Sequence, residues 1–274
     1  MSVFANHVHL FPDWMRPDGT LTAFRRAMDA VGIDRAVLFA PFPHRWEEAG
    51  GEVAPGAWNR WLAEEIAGKS EFVGYGTVDF REGAPPMAEQ VRQVAELGLR
   101  GLKVHPAVQS FPIDGATTID ACAAAGAHGL VVSWHTGVHH HALADDHPVL
   151  LDNVIRAAPE TRMVFEHAGG WHYYRDVVAV IQNNRHGKEP AKRFAGITTV
   201  LDKVRFRGWY LGPEVLAELR WQLGEDSLIY GTDFPHNDAQ RIAQDLAIIR
   251  EMDWPAEAVG ALLGGNLQNV LGAP

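Results

Sequence analysis

The sequence predicts an α/β fold, a single-domain (β/α)₈ TIM barrel spanning residues 1–274, and three observations carry that expectation. A chain of 274 residues suits one barrel of eight strand–helix units. Short β-branched and aromatic runs alternate with helix-length segments, the pattern of a parallel sheet with crossover helices. Histidines, a lysine and an aspartate recur at the carboxyl ends of the strand-like runs, the face where barrels of this kind place their chemistry.

The first strand covers residues 3–10 and carries Asn6-His7-Val8-His9-Leu10. A Pro/Asp/Gly loop leads to a helix over 20–31, where Leu21, Phe24, Met28 and Val31 recur at helical spacing. The second strand, 35–40, ends at Pro41, and 42–55 reads as a long loop carrying His44, Arg45 and Trp46. A helix at 57–68 precedes the third strand, 72–78, and Pro86 opens a helix that closes near Gly98. The fourth strand, 101–105, is followed by a helix at 117–129, with Thr118 and Asp120 at its entry and glycines near its exit. The fifth strand, 130–135, runs into His139-His140-His141, and a helix at 148–158 leads to the sixth strand, 162–167. After a helix at 171–183 and a polar loop, the seventh strand is placed at 194–201, with 204–211 as the alternative and 213–223 as its helix. The eighth strand, 227–231, precedes a helix at 239–252 and a final helical segment at 255–271. No composition break or repeat divides the chain.

Composition narrows the partners. A formal charge of -10 argues against nucleic acid or an anionic membrane, both of which need a basic face, and leaves a small-molecule substrate as the expected partner. A homo-oligomer is compatible with the sequence. The single cysteine, Cys122, excludes an intrachain disulfide and suits a reducing compartment; its alanine-rich surroundings mark it as a small buried apolar residue. The first residues lack the basic segment of a secretion signal, and no apolar run reaches the ~20 residues that span a bilayer, so the expected location is cytoplasmic.

The chemistry lies in the distributed set. Strand alternation puts His7 and His9 on one face, with Val8 on the other. His135 in Ser-Trp-His-Thr-Gly, His167 in Glu-His-Ala-Gly-Gly and Asp233 in Gly-Thr-Asp-Phe-Pro occupy equivalent strand-to-loop positions. Imidazole nitrogens with a carboxylate suit Zn²⁺ or another divalent ion such as Mn²⁺ better than an ion that wants an all-oxygen shell. A catalytic zinc keeps one position open for water and lowers its pKa. Asp233 is a candidate metal ligand, a candidate acceptor of the water proton, or both in sequence. Lys103, in Leu-Lys-Val-His-Pro, is read three ways: a substrate-binding cation, a carbamylated bridge between two metals, or a structural partner of Asp233 or Asp79. His105 reads as peripheral. The 139–141 histidines read as a solvated loop with one pocket member, since adjacent side chains cannot all face one point. Trp14, Trp46, Trp171, His172 and Tyr173 fall in predicted loops on the same face and, with Arg45 and His236, make a candidate substrate pocket, although tryptophans there also serve to cap a barrel. Trp58, Trp61, Trp221 and Trp254 read as packing residues on helical segments.

Together the His-x-His pair, Gly-Leu-Lys-Val-His-Pro, Trp-His-Thr-Gly, Glu-His-Ala-Gly-Gly, Gly-Thr-Asp-Phe-Pro and Gly-Gly-Asn-Leu-Gln-Asn-Val-Leu-Gly make the chain resemble the amidohydrolase superfamily, in particular the amidohydrolase-related group that includes aminocarboxymuconate semialdehyde decarboxylase. The resemblance spans nearly the whole chain and does not specify a substrate. It implies a (β/α)₈ barrel with a divalent metal, one ion in preference to two, held by His7, His9, His135 and Asp233, with His167 as base or electrophile. The chain departs from the group at Asn6, where members often carry aspartate. Lys103 matches the carbamylated lysine of two-metal members of the wider superfamily.

The leading functional expectation is a metal-dependent hydrolase that attacks a small cyclic or aromatic substrate with metal-activated water, Asp233 and His167 moving protons and Lys103 assisting. The alternative is a nonoxidative decarboxylase, a carbon–carbon lyase of a small aromatic or unsaturated acid, in which His167 or Asp233 protonates carbon as CO₂ leaves. A cation from Arg16, Arg45 or Lys103 beside the metal favours decarboxylation; a site with no cation nearby favours hydrolysis. The third reading, a catalytically silent binding barrel, has against it that every expected ligand position is filled.

Overall fold

The structure, a computed structural model, describes residues 2–139, 141–185, 192–198 and 211–272, with the backbone alone at 197 and 198. Eight parallel strands close into one barrel in chain order: β1 (Phe4–His9), β2 (Arg35–Phe39), β3 (Phe72–Gly76), β4 (Gly101–Val104), β5 (Val131–His135), β6 (Arg162–Glu166), β7 (Arg193–Thr198) and β8 (Leu228–Phe234). β1 pairs with β8 to complete the ring.

The helices that follow the strands bury one face each against the barrel. α1 (Leu21–Val31) starts at Thr20, whose hydroxyl accepts a hydrogen bond from the Ala23 amide at 3.2 Å, and buries Leu21, Phe24, Ala27 and Met28. α2 (Pro43–Glu48) lies inside the segment expected to be all loop; Pro43 at its first turn fixes φ for a helix only six residues long. α3 (Ala57–Ile66), α4 (Met87–Glu96), the short α5 (Pro106–Gln109), α6 (Ala116–Ala127), α7 (Leu151–Ala157) and α8 (Gly170–Asn183) follow. α9 (Pro213–Leu223) and α10 (Ala239–Glu251) flank β8, and α11 (Ala256–Gly260) and α12 (Asn266–Leu271) end the described chain. The seventh strand's expected end at 199–201 and most of its alternative, 204–210, lie outside the described residues. No helix among the described residues is long and apolar enough to cross a membrane.

Strand alternation divides the core in two. Phe4, Val37, Phe39, Tyr75, Val131, Val164, Phe194 and Ile229 point into the barrel, and Leu267, Val270 and Leu271 of α12 close its amino-terminal end. A larger layer between sheet and helices holds the opposite strand positions and the inner helix faces, Cys122 of α6 among them. Burial pushes the Cys122 thiol up to about 12, so it is an inert apolar group, as expected. A Cβ on Gly264 would sit 2.9 Å from the Phe4 backbone nitrogen, which keeps that position side-chain-free where the last helices reach β1. Trp58 packs in the core as expected, but Trp221 is 81% exposed on α9. The inner apolar layer stops one step below the carboxyl ends of the strands, where polar side chains take over.

Candidate active site

Three of the five described non-glycine residues with positive φ are His7 (62°), His167 (62°) and Asp233 (56°). His7 lies within β1, Asp233 is next to last in β8 and His167 directly follows β6, and their ligand atoms lie within 4.8 Å of one another. At His7 the left-handed residue makes a bulge in β1, shifting the register between Ala5 and Val8. The bulge lets Asn6 and His7 both reach the barrel interior, which plain alternation forbids. β8 runs on to Phe234, so Asp233 belongs to the strand and not to the loop expected after 231. Backbone in this region costs free energy for any residue but glycine and persists where surrounding structure holds it.

His7 Nε2 lies 3.2 Å from Asp233 Oδ1 and 3.2 Å from His9 Nε2, and His9 Nε2 is 3.7 Å from Asp233 Oδ1. Behind His7, its Nδ1 is 3.1 Å from Glu166 Oε2. Glu166 also accepts hydrogen bonds from Asn6 Nδ2 at 2.7 Å and Ser133 Oγ at 2.5 Å. Burial pushes Glu166 up, but the charge and hydrogen bond of His7, with Lys103 and Ser133, outweigh it and hold the carboxyl at about 2. Burial and Lys103 push His7 down, but Asp233 and Glu166 outweigh them and raise it; Nδ1 faces the Glu166 carboxylate with a hydrogen, and Nε2 faces Asp233 with a proton that a bound cation would replace. With that proton given up, His7 Nε2, His9 Nε2 and an Asp233 oxygen are three lone-pair donors at close range. Acceptors gathered in this way repel unless a positive charge lies among them. The spacing is also that of ligands about 2.0–2.2 Å from one divalent ion, which sit roughly 3.0–3.5 Å from each other. The donor set therefore fits a metal ion held by His7, His9 and Asp233.

The electrostatics agree with that fit. Burial, followed by the neighbouring charge of His7, depresses His9 well below the ordinary histidine value and lowers His167 to about 3. Burial, with the surrounding histidines and Lys103, does the same to His135 and His105. These imidazoles are neutral, the form that ligates metals. For Asp233, burial is outweighed by the charge and hydrogen bond of His7, and the carboxyl stays well below the usual range.

The cluster forms the floor of a cavity of about 510 Å³. Its wall includes His105, His135, His139 and His236, the apolar side chains of Phe11, Met15, Phe42 and Val108, and Arg16 and Arg45, whose guanidinium groups also pair with Asp18 and Glu48. His135 stacks on His105 with ring centroids 3.7 Å apart and meets His167 edge-on at 4.8 Å. It lies beside the ligand groupings and not inside either of them, whereas His167, expected as the base, is inside one. His236 forms a second grouping with His9 and Asp233. His105 is buried and lines the cavity, contrary to the expectation that it is peripheral; it caps α5, its Nδ1 accepting from the Val108 amide at 3.4 Å. His139 is the cavity member of its histidine run, His141 is exposed, and His140 lies outside the described residues.

Other expected site residues are not brought in. Trp14 is 52% exposed and packs edge-to-face on Trp46, with ring centroids 5.2 Å apart. Trp171 packs against the outer core and His172 is exposed; both belong to α8, not to a loop. Neither residue lines the cavity, and Trp14 does not either. Lys103 is fully buried beneath the cluster, 5.2 Å above the Phe39 ring, and its Nζ has no hydrogen-bond partner among the described residues. Burial lowers its pKa to about 8 against the pull of Glu166 and Asp233. It is hydrogen-bonded to neither of the expected structural partners, and Asp79 is taken by Arg81.

The sequence profile of the amidohydrolase family matches residues 7–272. The chain belongs to this family. No curated protein matches the sequence. Among solved structures, the amidohydrolase chain is similar to an uncharacterized TIM-barrel protein from Bordetella bronchiseptica, at 15% identity and TM-score 0.75, over 99% of this chain and 98% of that one. It is also similar to 5-carboxyvanillate decarboxylase from Sphingomonas paucimobilis, at 18% identity and TM-score 0.69, over 98% of each. A third similar structure is a dihydroxybenzoic acid decarboxylase from Polaromonas sp. JS666 with bound manganese and the inhibitor 2-nitroresorcinol, at 16% identity and TM-score 0.66, over 98% and 96%. At these identities the likeness of this amidohydrolase to its structural neighbours is one of fold.

Proposed function

We propose that this chain is a metal-dependent nonoxidative decarboxylase of a small aromatic or unsaturated carboxylic acid. The observation that carries this reading is the pair Arg16 and Arg45 in the wall of the cavity whose floor is the His/Asp cluster. A hydrolase that activates water needs no cation there, so the balance moves from the hydrolytic expectation to its alternative. The decarboxylases among the structural neighbours, one with bound manganese, support the same reading.

His7, His9 and Asp233 would hold one divalent ion, Mn²⁺ or Zn²⁺, which supplies positive charge to bind the substrate's oxygens and to stabilise the negative charge left beside the departing CO₂. Arg45 and Arg16 anchor anionic oxygens, a task suited to the planar guanidinium fork. Phe11, Phe42, Met15 and Val108 enclose the ring and exclude water, which strengthens each polar contact. When the bond to the carboxylate breaks, its electron pair stays on the substrate carbon. A proton relayed through the neutral His167 imidazole, one nitrogen giving to the carbon as the other takes from water at the cavity mouth, completes the product. His135 and His236 border the reacting group.

Incubating Mn²⁺- or Zn²⁺-loaded protein with 5-carboxyvanillate, 2,6-dihydroxybenzoate and related aromatic acids, with CO₂ release as the readout, tests this. Esters, lactones and amides form the parallel panel. Release of CO₂ is expected; turnover confined to the second panel would return the chain to hydrolysis.

A further inference from the structure

The Glu166 carboxylate lies fully buried under the imidazole of His7, and no step proposed above uses it. Parts of three other strands build its seat. Asn6 of β1 and Ser133 of β5 donate to Oε1, His7 of β1 faces Oε2, and Gly196 of β7 leaves the room that Oε2 occupies: a Cβ there would come within 2.3 Å of it. An unpaired buried carboxylate is costly, so the three donors and the missing side chain mark a position built to keep this one. Packing alone does not ask for a charge: the inward position one step below on the same strand, Val164, is apolar.

We propose that Glu166 is the positioning residue of the metal centre: it holds His7 as the Nδ1–H tautomer, so that Nε2 is a ligand, and its negative charge tightens the binding of the cation. The inference rests on His7 being a ligand and is independent of which reaction follows. A carboxylate behind a metal-bound imidazole fixes ring orientation and raises ligand basicity, and removing such a partner typically weakens metal binding by roughly 10–100-fold.

Glu166→Gln separates the roles. The amide keeps the shape and still accepts from Asn6 and Ser133, but it turns an N–H towards His7. Nδ1 must then accept, and the hydrogen moves to Nε2, where it blocks ligation. The experiment strips metal from wild type and Glu166→Gln, confirms by thermal unfolding that the metal-free proteins are folded, and measures Zn²⁺ and Mn²⁺ affinity by competition with a chromogenic chelator. A loss of roughly 10–100-fold in the variant, with little change in metal-free unfolding, is expected. Equal affinities would overturn the proposal. If the variant does not fold, the wild type decides: nitrogen-15 histidine spectra of the Zn²⁺-loaded protein, with His7 assigned by its absence in His7→Asn, are expected to show hydrogen on Nδ1. Hydrogen on Nε2 would equally overturn it. Neither readout needs turnover, so metal binding of this kind without CO₂ release would count against the decarboxylase reading alone.

Discussion

His7, His167 and Asp233 keep left-handed backbone that their neighbours in the strands do not share, which decides how their roles are best probed. Asparagine tolerates this region and has nearly the shape of aspartate, so Asp233→Asn isolates the lost charge from any backbone effect. That variant is expected to lose at least about a hundredfold in kcat while its circular dichroism and metal-free unfolding midpoint stay close to wild type. Arg45→Ala removes a charged hydrogen-bond donor from the cavity wall; a loss of about 1.5–3 kcal/mol corresponds to a rise in KM for an acid substrate of about 10–150-fold. An unchanged KM would remove Arg45 from the anchor. At this scale much of the site was legible: His7, His9, His167, Asp233, Arg45 and His236 do meet at one cavity. Glu166 was not noticed, although two-residue alternation from Val164 turns it inward and a charge at an inward position is a signal. His105 was set aside because it follows its strand, yet the turn of α5 folds it back over the cavity. Trp14, Trp171 and His172 stand in the right stretches of sequence, but a residue's stretch does not say which way its side chain leaves a loop or helix.

α2 shows what element-level reading loses. Six residues are too short for a helical period to emerge, and Pro43 reads as readily as a loop residue. This helix carries Arg45 to the cavity and is tied down by Arg81, which bonds Glu47 at 2.7 and 2.9 Å and Asp79 at 2.6 Å. Hydrogen bonds from Arg81 hold the Glu47 carboxyl below its ordinary value, and they do the same for Asp79 against the opposing effect of burial. Folded-state values below the unfolded ones mean that the tie is fully present above the ordinary carboxylate range of about 4 and is lost as pH falls below it. Amide exchange in α2 is therefore expected to quicken below about pH 4 in wild type, and to be fast already at neutral pH in Arg81→Ala. Equal protection in the two proteins at neutral pH would show that the tie does not hold the helix. Global stability should change little, because the arginine is partly exposed.

At the scale of the molecule, the eightfold order was legible because each unit carries its own punctuation: an apolar run, a turn residue, then a helix with caps. The register around the ring, the bulge in β1 and the seal formed by α12 come from pairings between residues far apart in sequence, which no local pattern contains. The metal fit has a global consequence. An ion bound at a hundred times its dissociation constant adds about 2.7 kcal/mol to the folded state, a rise of roughly 5–10 °C in the unfolding midpoint for a chain of this size. Calorimetry with and without Mn²⁺ or Zn²⁺ checks this, and an unchanged midpoint would count against the site.

The cavity draws its parts from two sources: the His/Asp cluster stands on or at the tips of β1, β6 and β8, whereas Arg16 and Arg45 come from the segments after β1 and β2. Evolution can thus rewrite the connections and redirect the barrel to a new acid while the machinery beneath stays intact. For protein engineers the same division marks residues 11–19 and 42–55 as the ground to randomise when a different feedstock is wanted.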